Sequence, residues 1–384
     1  MDFELNDEQK MMRDMARKFA RERIAPLIEE DEKEHRFRPE IVREMGEMGF
    51  FGAVIDEAYG GTGAGYLASA VMTMEVAQVS ASYGLPFNMQ MMGPALTIQR
   101  WGNEEQKQRY VPKLVSGELL GCFAMTEPNT GSDVASMRTY ATRTDGGWIL
   151  NGQKTWISQA QWADVGLVFA YTDKEKKHRG ISCFLVDLKE TRGVTTTAIE
   201  SKFGLFCSPT GEIVLEDAFV PDSALLGELN KGFTVCMAML DGTRISCASR
   251  AVGLGQACLD EAARYSKERI QFGQPISEFQ MIQSDLVQMF VEHQAAYLLV
   301  CKAAAARDAG NLRNTAEIST AKYFAAEAAV HAANTAMKIL GSYGFSTEYP
   351  VARFLRDAKS YQIVEGTSNI QKMVIARHLL EQVK

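Results

Sequence analysis

At 384 residues the chain exceeds what one hydrophobic core usually serves, so two or three packed units are expected. Its 46% apolar and 23% charged content is that of a globular protein and excludes a disordered one. The 41 basic and 48 acidic residues are interspersed for a net charge of −7, so neither nucleic acid nor an anionic membrane is an expected partner.

No stretch approaches the roughly 18 unbroken apolar residues of a membrane span. The opening Met1-Asp2-Phe3-Glu4 has neither a signal-peptide core nor a transit-peptide pattern. The seven cysteines (122, 183, 207, 236, 247, 258 and 301) show no CxxC pairing and sit mostly among apolar neighbours. Buried free thiols in a reducing cytoplasm are the expectation.

Residues 1–120 read as a helical unit. Asn6-Asp7 supplies a cap before Met11, Met12, Met15, Ala16, Phe19, Ala20 and Ile24, which recur at helical spacing. The pattern repeats over 40–48. After the glycine-rich break at 59–65, which does not fit GxGxxG, a helical stretch is expected from about 67 to 109. From 121 to 228 the period changes to two. Asn151-Gly152 predicts a hairpin turn between strands at 148–150 and 154–157, with further strands at 166–171, 180–188, 194–200 and 211–220, as in a small barrel or sandwich. Residues 229–384 turn helical again, with Ala-rich stretches at 232–268, 278–309, 315–340 and 366–382. Such helices pack on one another or on a second subunit, which predicts an oligomer. The fold class is mainly α with a central β unit.

The five histidines lack HxxxH or Cys/His spacing, which argues against zinc. Neither a GxSxG elbow, a GxxxxGK[ST] loop nor a Rossmann fingerprint is present, so a nucleotide cofactor would not be held in the doubly wound manner. Three stretches carry the remaining chemistry. CFAMTEPNTGSD (122–133) is either a capped β-turn or a set of backbone donors laid along a flat ring or a phosphate. RIQFGQPI (269–276) is either a helix–helix corner with a surface Arg or a seat for a pyrophosphate and a stacked ring. EGTSNIQ (365–371) opens a helix by capping chemistry. Its Glu365 is a solvated partner of the helix dipole or, if desolvated and facing a substrate, a base.

Taken in order, these segments resemble the acyl-CoA dehydrogenase family. MTEPNTGSD is similar to one family signature, and GSYGFSTEYPVARFLRDAK (341–359) to the other. YQIVEGTSNIQ follows at the expected distance, and KTWIS and RIQFGQPI also match, so the resemblance spans essentially the whole chain. It implies an N-terminal helical domain (1–120), a middle β-barrel (121–228) and a C-terminal four-helix bundle (229–384) in a homotetramer. It also implies FAD, an acyl-CoA substrate and electron-transfer flavoprotein as acceptor, in fatty acid or alicyclic acid degradation. By position, Phe123, Met125, Thr126 and Ser132 would line the flavin, with Ser132 also near the CoA phosphates. Trp156 would sit beside the isoalloxazine and Ser158 near its N5 edge. Arg269, Gln271, Phe272 and Gln280 would meet the FAD of a partner subunit, and Thr367 and Asn369 would hold the pyrophosphate and adenine side. Lys338 and Gly341 fall at the adenosine end, where the family often has Gln for Lys338 and a second Gly for Ser342. Asp241 and Arg244 would contact the pantetheine–nucleotide arm, and Gly366 the substrate. Glu365 would take the α-proton, and its N–H would help polarise the thioester carbonyl. Gly242-Thr243, where some relatives keep the base, offers none.

The chain looks nearest the glutaryl-CoA dehydrogenase subgroup, but Gly84 stands where that subgroup carries an Arg for a distal carboxylate. Residues 76–99 contain no charged residue, so a neutral acyl chain is expected. Bulky Phe87 and Met91, with Met89 and Met92, point to a short, branched or alicyclic group, cyclohexanecarboxyl-CoA first. A flavin acyl-CoA oxidase and a non-catalytic FAD- and acyl-CoA-binding assembly protein are the rival readings.

Overall fold

Asn6 accepts from the Gln9 N–H, and the Gln9 side chain bonds back to the Asn6 N–H, a complete capping box that starts α1 (Asp7–Phe19). The structure, a computed structural model, describes residues 5–383. Helices α2 (Ile28–Glu34), α3 (Pro39–Glu47) and α4 (Gly65–Val79) follow. Met12, Ala16 and Phe19 face the core as the periodicity predicts, whereas Met11 is exposed. The helical stretch expected over 67–109 is broken after Val79. A turn leads into a π-helical segment, Phe87–Ala95, then α5 (Leu96–Trp101) and α6 (Glu104–Val115). Pro94 lies inside that widened segment and has no N–H to donate.

The β unit contains β1 (Gly121–Ala124), β2 (Tyr140–Thr144), β3 (Gly147–Ser158), β4 (Val165–Tyr171), β5 (Ile181–Asp187), β6 (Val194–Ala198), β7 (Thr210–Pro221) and β8 (Leu225–Leu226). They form one sheet in the order β6-β7-β3-β2-β4-β5-β8, with β1 parallel to β4. The Asn151-Gly152 hairpin does not exist. Both residues lie inside β3, where a register shift falls between Leu150 and Gly152. The Asn151 amide instead exchanges two hydrogen bonds with Asp217 on β7, at 3.0 and 2.9 Å, and holds a bulge rather than a turn. The tight turn is Asp145-Gly146, between β2 and β3, with Gly146 at φ +73°.

Past Gly232 the chain builds α7 (Gly232–Glu268), the short hairpin β9 (Ile270–Gln271) and β10 (Gln274–Pro275), α8 (Gln280–Asp308), α9 (Thr315–Leu340), α10 (Val351–Tyr361) and α11 (Ser368–Gln382). The pattern reading missed α10. Helix α7 packs on α9, α4 and α8, which places it between the N-terminal layer and the bundle. One hydrophobic core runs through the helical layers, and a second lies within the sheet. All seven cysteines are buried free thiols. No helix among the described residues is long and apolar enough to cross a membrane.

Candidate active site

Cys236, Thr243 and Arg250 are spaced seven residues apart on α7, two helical turns each, and therefore share one face. Each meets a different part of the molecule. Cys236 touches the Met125 thioether at the end of β1. Thr243 reaches Glu365, and Arg250 lies against Gly84 and Tyr361.

Glu365 sits between two donors. Asn88 Nδ2 donates to one carboxylate oxygen at 2.9 Å and Thr243 Oγ1 to the other at 2.6 Å. Asn88 is fully buried on the π-helical segment. The Glu365 backbone is left-handed, φ +59°, and Gly366 follows at +88°. A non-Gly residue holds that conformation only when its surroundings impose it. Here Arg244 Nε donates to the Glu365 carbonyl at 3.2 Å, Lys322 Nζ to the Gly366 carbonyl at 2.7 Å, and Gln371 Nε2 to both, at 3.1 and 2.9 Å. A Cβ on Gly366 would lie 2.8 Å from Gln371 Nε2, so the loop needs glycine there. The Glu365 N–H makes no hydrogen bond to protein among the described residues.

The segment after β1 is organised around a buried ion pair. Glu127 accepts from Lys154 Nζ at 2.8 Å, the Arg138 N–H at 2.5 Å, and the Thr139 N–H and hydroxyl at 2.9 and 2.6 Å. Burial pushes Lys154 down to about 8. Burial alone would raise Glu127, but the Lys154 charge and these hydrogen bonds hold its carboxyl below the usual range. Both groups are therefore charged near neutral pH. The pair fixes the turn from Thr126 to Thr139 against β3, where the Thr155 N–H donates to the Thr126 carbonyl at 2.9 Å. Next to that bond Trp156 lies in a bulge at φ +58°, with its indole 58% exposed. A bulge that turns an aromatic face outward is a platform for a flat ring. The buried Thr130 hydroxyl has no protein partner. Phe123 packs against Gly93, Ser132 is exposed, and Ser158 is half-buried at the end of β3. An exposed ring face beside hydroxyls and backbone donors fits a flavin dinucleotide.

A second group lies elsewhere. Phe272 stands at φ +52° and 94% exposed, edge-on to Phe279 at 6.0 Å, while Arg269 lies over the Tyr343 ring at 5.6 Å. Gln271 and Gln280 are exposed beside them. Twenty-six residues separate Arg269 from Thr243, about 40 Å along α7 by helical rise. Lys338, expected at the adenosine end, is paired with Asp285 at 2.8 Å. Gly341 ends α9 at φ +60°. Thr367 caps α11 by accepting from the Ile370 N–H at 3.3 Å, and Asn369 is exposed in its first turn.

Other expected residues fall differently. The Asp241 carboxylate is engaged inside the protein, with Arg307 and Thr315 each at 2.8 Å and Arg244 at 3.4 Å, so it positions Arg244 rather than facing outward. Phe87 and Met91 are wholly buried, and Phe87 packs on Phe50 and Phe51 at 6.2 and 5.7 Å, as part of the core. Residues 76–99 carry no charge of their own, but Arg250 from α7 lies beside Gly84. Thr243 and Asn88, the donors to Glu365, were not foreseen.

Residues 6–118, 122–218 and 230–380 match the N-terminal, middle and C-terminal domains of acyl-CoA dehydrogenases. A glutaryl-CoA dehydrogenase of Desulfococcus multivorans is 48% identical over 98% of this chain and 97% of its own. The structure of a glutaryl-coenzyme A dehydrogenase in complex with glutaryl-CoA superposes with a TM-score of 0.98 at 47% identity, over 99% of this chain and 97% of that one. A chain from a structure of the electron transferring flavoprotein of Acidaminococcus fermentans gives 0.97 at 38% identity, over the full length of both. The chain belongs to the acyl-CoA dehydrogenase family, oxidoreductases acting on CH–CH groups. The family binds FAD.

Proposed function

We propose that the chain removes hydrogen from the α,β-bond of a short acyl-CoA, with Glu365 as the base, and passes electrons to an electron-transfer flavoprotein. The observation that carries this is the Glu365 carboxylate, held by Asn88 and Thr243 on a loop forced into left-handed geometry. An α-C–H beside a thioester is a weak acid, so it needs a base at fixed distance and a donor for the developing enolate oxygen. Glu365 takes the proton, and its own N–H, without a protein acceptor, is available to the thioester oxygen. Arg244, Lys322 and Gln371 keep both atoms of that residue in register by bonding the 365–366 carbonyls. FAD, when bound, supplies the two-electron acceptor.

Phe123, Met125, Thr126, Trp156 and Ser158 are the proposed flavin edge, and Ser132, Thr367, Asn369 and Gly341 the dinucleotide side. Arg269, Gln271, Phe272 and Gln280 stand too far from Glu365 to serve the same cofactor, which supports their reaching the FAD of a second copy in a homotetramer. The uncharged stretch 76–99 supports a neutral acyl chain such as cyclohexanecarboxyl, while Arg250 from α7 brings a cation beside Gly84.

The test is anaerobic addition of an acyl-CoA panel to the yellow holoprotein. Bleaching supports the dehydrogenase, recolouring within the mixing time in air favours an oxidase, and colour that persists with every thioester favours the binding protein. Glu365→Gln is expected to keep its FAD and lose roughly 10²–10⁴ in turnover. Near-normal turnover in that variant rules out Glu365 as the base.

A further inference from the structure

Thr243 is fully buried within α7, and its hydroxyl has two acceptors for one proton. Glu365 Oε2 lies at 2.6 Å, and the Leu240 carbonyl, one turn back on the same helix, at 3.2 Å. While Glu365 is ionised the proton belongs to the shorter contact, because a carboxylate is the stronger acceptor. The Leu240 carbonyl is then held in reserve. A hydroxyl is also an acceptor, with two lone pairs of its own.

The remaining donors divide the loop between them. Asn88 Nδ2 donates to Glu365 Oε1 at 2.9 Å. The nearby cations bond elsewhere, Arg244 Nε to the Glu365 carbonyl and Lys322 Nζ to the Gly366 carbonyl. The carboxylate is therefore held by two neutral side chains. That choice suits a group which must take up a proton. A cation bonded to the carboxylate would stabilise its ionised form alone, and a donor with no second role would be left facing the new O–H.

We propose that Thr243 is a reversing positioning residue, whose hydroxyl donates to Glu365 before proton transfer and accepts from Glu365 after it. In the transfer the α-C–H bond breaks and its proton forms an O–H bond at Glu365 Oε2. The electron pair passes into the thioester and leaves with the β-hydride to the two-electron acceptor. The new O–H then donates to Thr243 Oγ1, and the Thr243 proton turns to the Leu240 carbonyl. Oε1 keeps its bond from Asn88. Only a hydroxyl proton rotates, so the same heavy-atom positions satisfy the base in both states without reorganisation. The inference rests on the Glu365 reading above and adds to it how the base is held once it carries the proton.

Thr243→Val keeps the shape and removes the hydroxyl, whereas Thr243→Ser keeps both of its roles. Each holoenzyme is mixed anaerobically with a saturating acyl-CoA that bleaches the parent. The flavin absorbance gives the rate of bleaching and its final extent, and the bleached complex is the one in which Glu365 holds the α-proton. Removing a hydroxyl that serves both states harms both. The ionised base loses a charge-assisted bond, and the protonated base is left with a buried, unpaired O–H. Thr243→Val is therefore expected to slow bleaching about fivefold or more, through loss of positioning, while the bleached-to-oxidised ratio moves by less than about tenfold. Thr243→Ser is expected to restore the rate. A shift of the ratio by about tenfold or more toward the bleached form overturns the proposal, because the hydroxyl then serves the ionised base alone. A shift as large the other way also overturns it, as does a smaller slowing or a serine variant as slow as the valine one. Thr243→Ala carries the same comparison where the valine variant does not hold FAD. All these outcomes leave Glu365 standing as the base, whereas bleaching of Glu365→Gln at the parent's rate removes both readings.

Discussion

Along α7 the first half runs among committed partners, Cys236 on Met125 and Thr243 on Glu365, whereas the chain just past its end exposes Phe272 and Gln271 to solvent. Both regions carry aromatic residues in left-handed backbone, Trp156 near the first and Phe272 in the second. The β3 bulge beside the Glu127 network imposes the first, and the two-residue turn of the β9–β10 hairpin, with Gly273 following at φ +80°, imposes the second. On the proposed function the inner region is a reaction site assembled by one chain, and the outer region is half of a contact with a second copy. Exposed Met281, Val287, Phe290, Val291 and Leu298 on α8, the helix that follows, give that contact an apolar surface to extend along.

The largest effect that would break this contrast lies at the Glu127–Lys154 pair. Lys154→Met leaves a buried carboxylate unpaired and is expected to destabilise the protein by about 3–5 kcal/mol, read from denaturant unfolding. Adding Glu127→Gln should recover part of the loss. If Lys154→Met unfolds like the parent, the inner network does not owe its rigidity to this pair.

A smaller effect is expected at Thr243. A hydrogen bond to a charged group is worth about 1.5–3 kcal/mol, so Thr243→Val should lower kcat roughly tenfold or more with little change in KM. Thr243→Ser, which keeps the donor, should restore most of it. A packing role alone would instead be satisfied by Val and not by Ser.

These two sites show what a sequence exposes and what it hides. Glu365 was legible because the residues after it spell a helix cap, and because the ordered family segments point to it. Its partners were not, since Asn88 lies 277 residues away and Thr243 lies 122 away, and neither is charged. As a sequence position Thr243 can only be a missing base, whereas in the fold its hydroxyl is a donor to Glu365. Arg250 was overlooked for a related reason. The charge around Gly84 is read from residues 76–99 alone, whereas the cation arrives from a helix that packs across that stretch. The false hairpin at Asn151-Gly152 is the same failure on a local scale. A strong turn dipeptide lost to its partner strand, because Asp217 on β7 offered the Asn151 amide two bonds. Helix α10 was missed although Val351, Phe354, Ala358 and Tyr361 mark its buried face at helical spacing.

The smallest expected effect separates the two regions most cleanly. Among the described residues the one aromatic ring Phe272 touches is Phe279, so Phe272→Ala should leave unfolding nearly unchanged. If its ring packs against the FAD of a second copy, losing that contact costs about 0.5–1.5 kcal/mol, a rise of roughly 2–10-fold in the FAD dissociation constant. The rise should shrink as the protein is diluted, because the contact exists only in the assembly and the unmutated protein then loses it as well. Trp156→Ala, on the inner platform, should weaken FAD without that dependence on protein concentration. Equal concentration dependence in the two variants would place both aromatics on one kind of site and erase the distinction between the ends of α7.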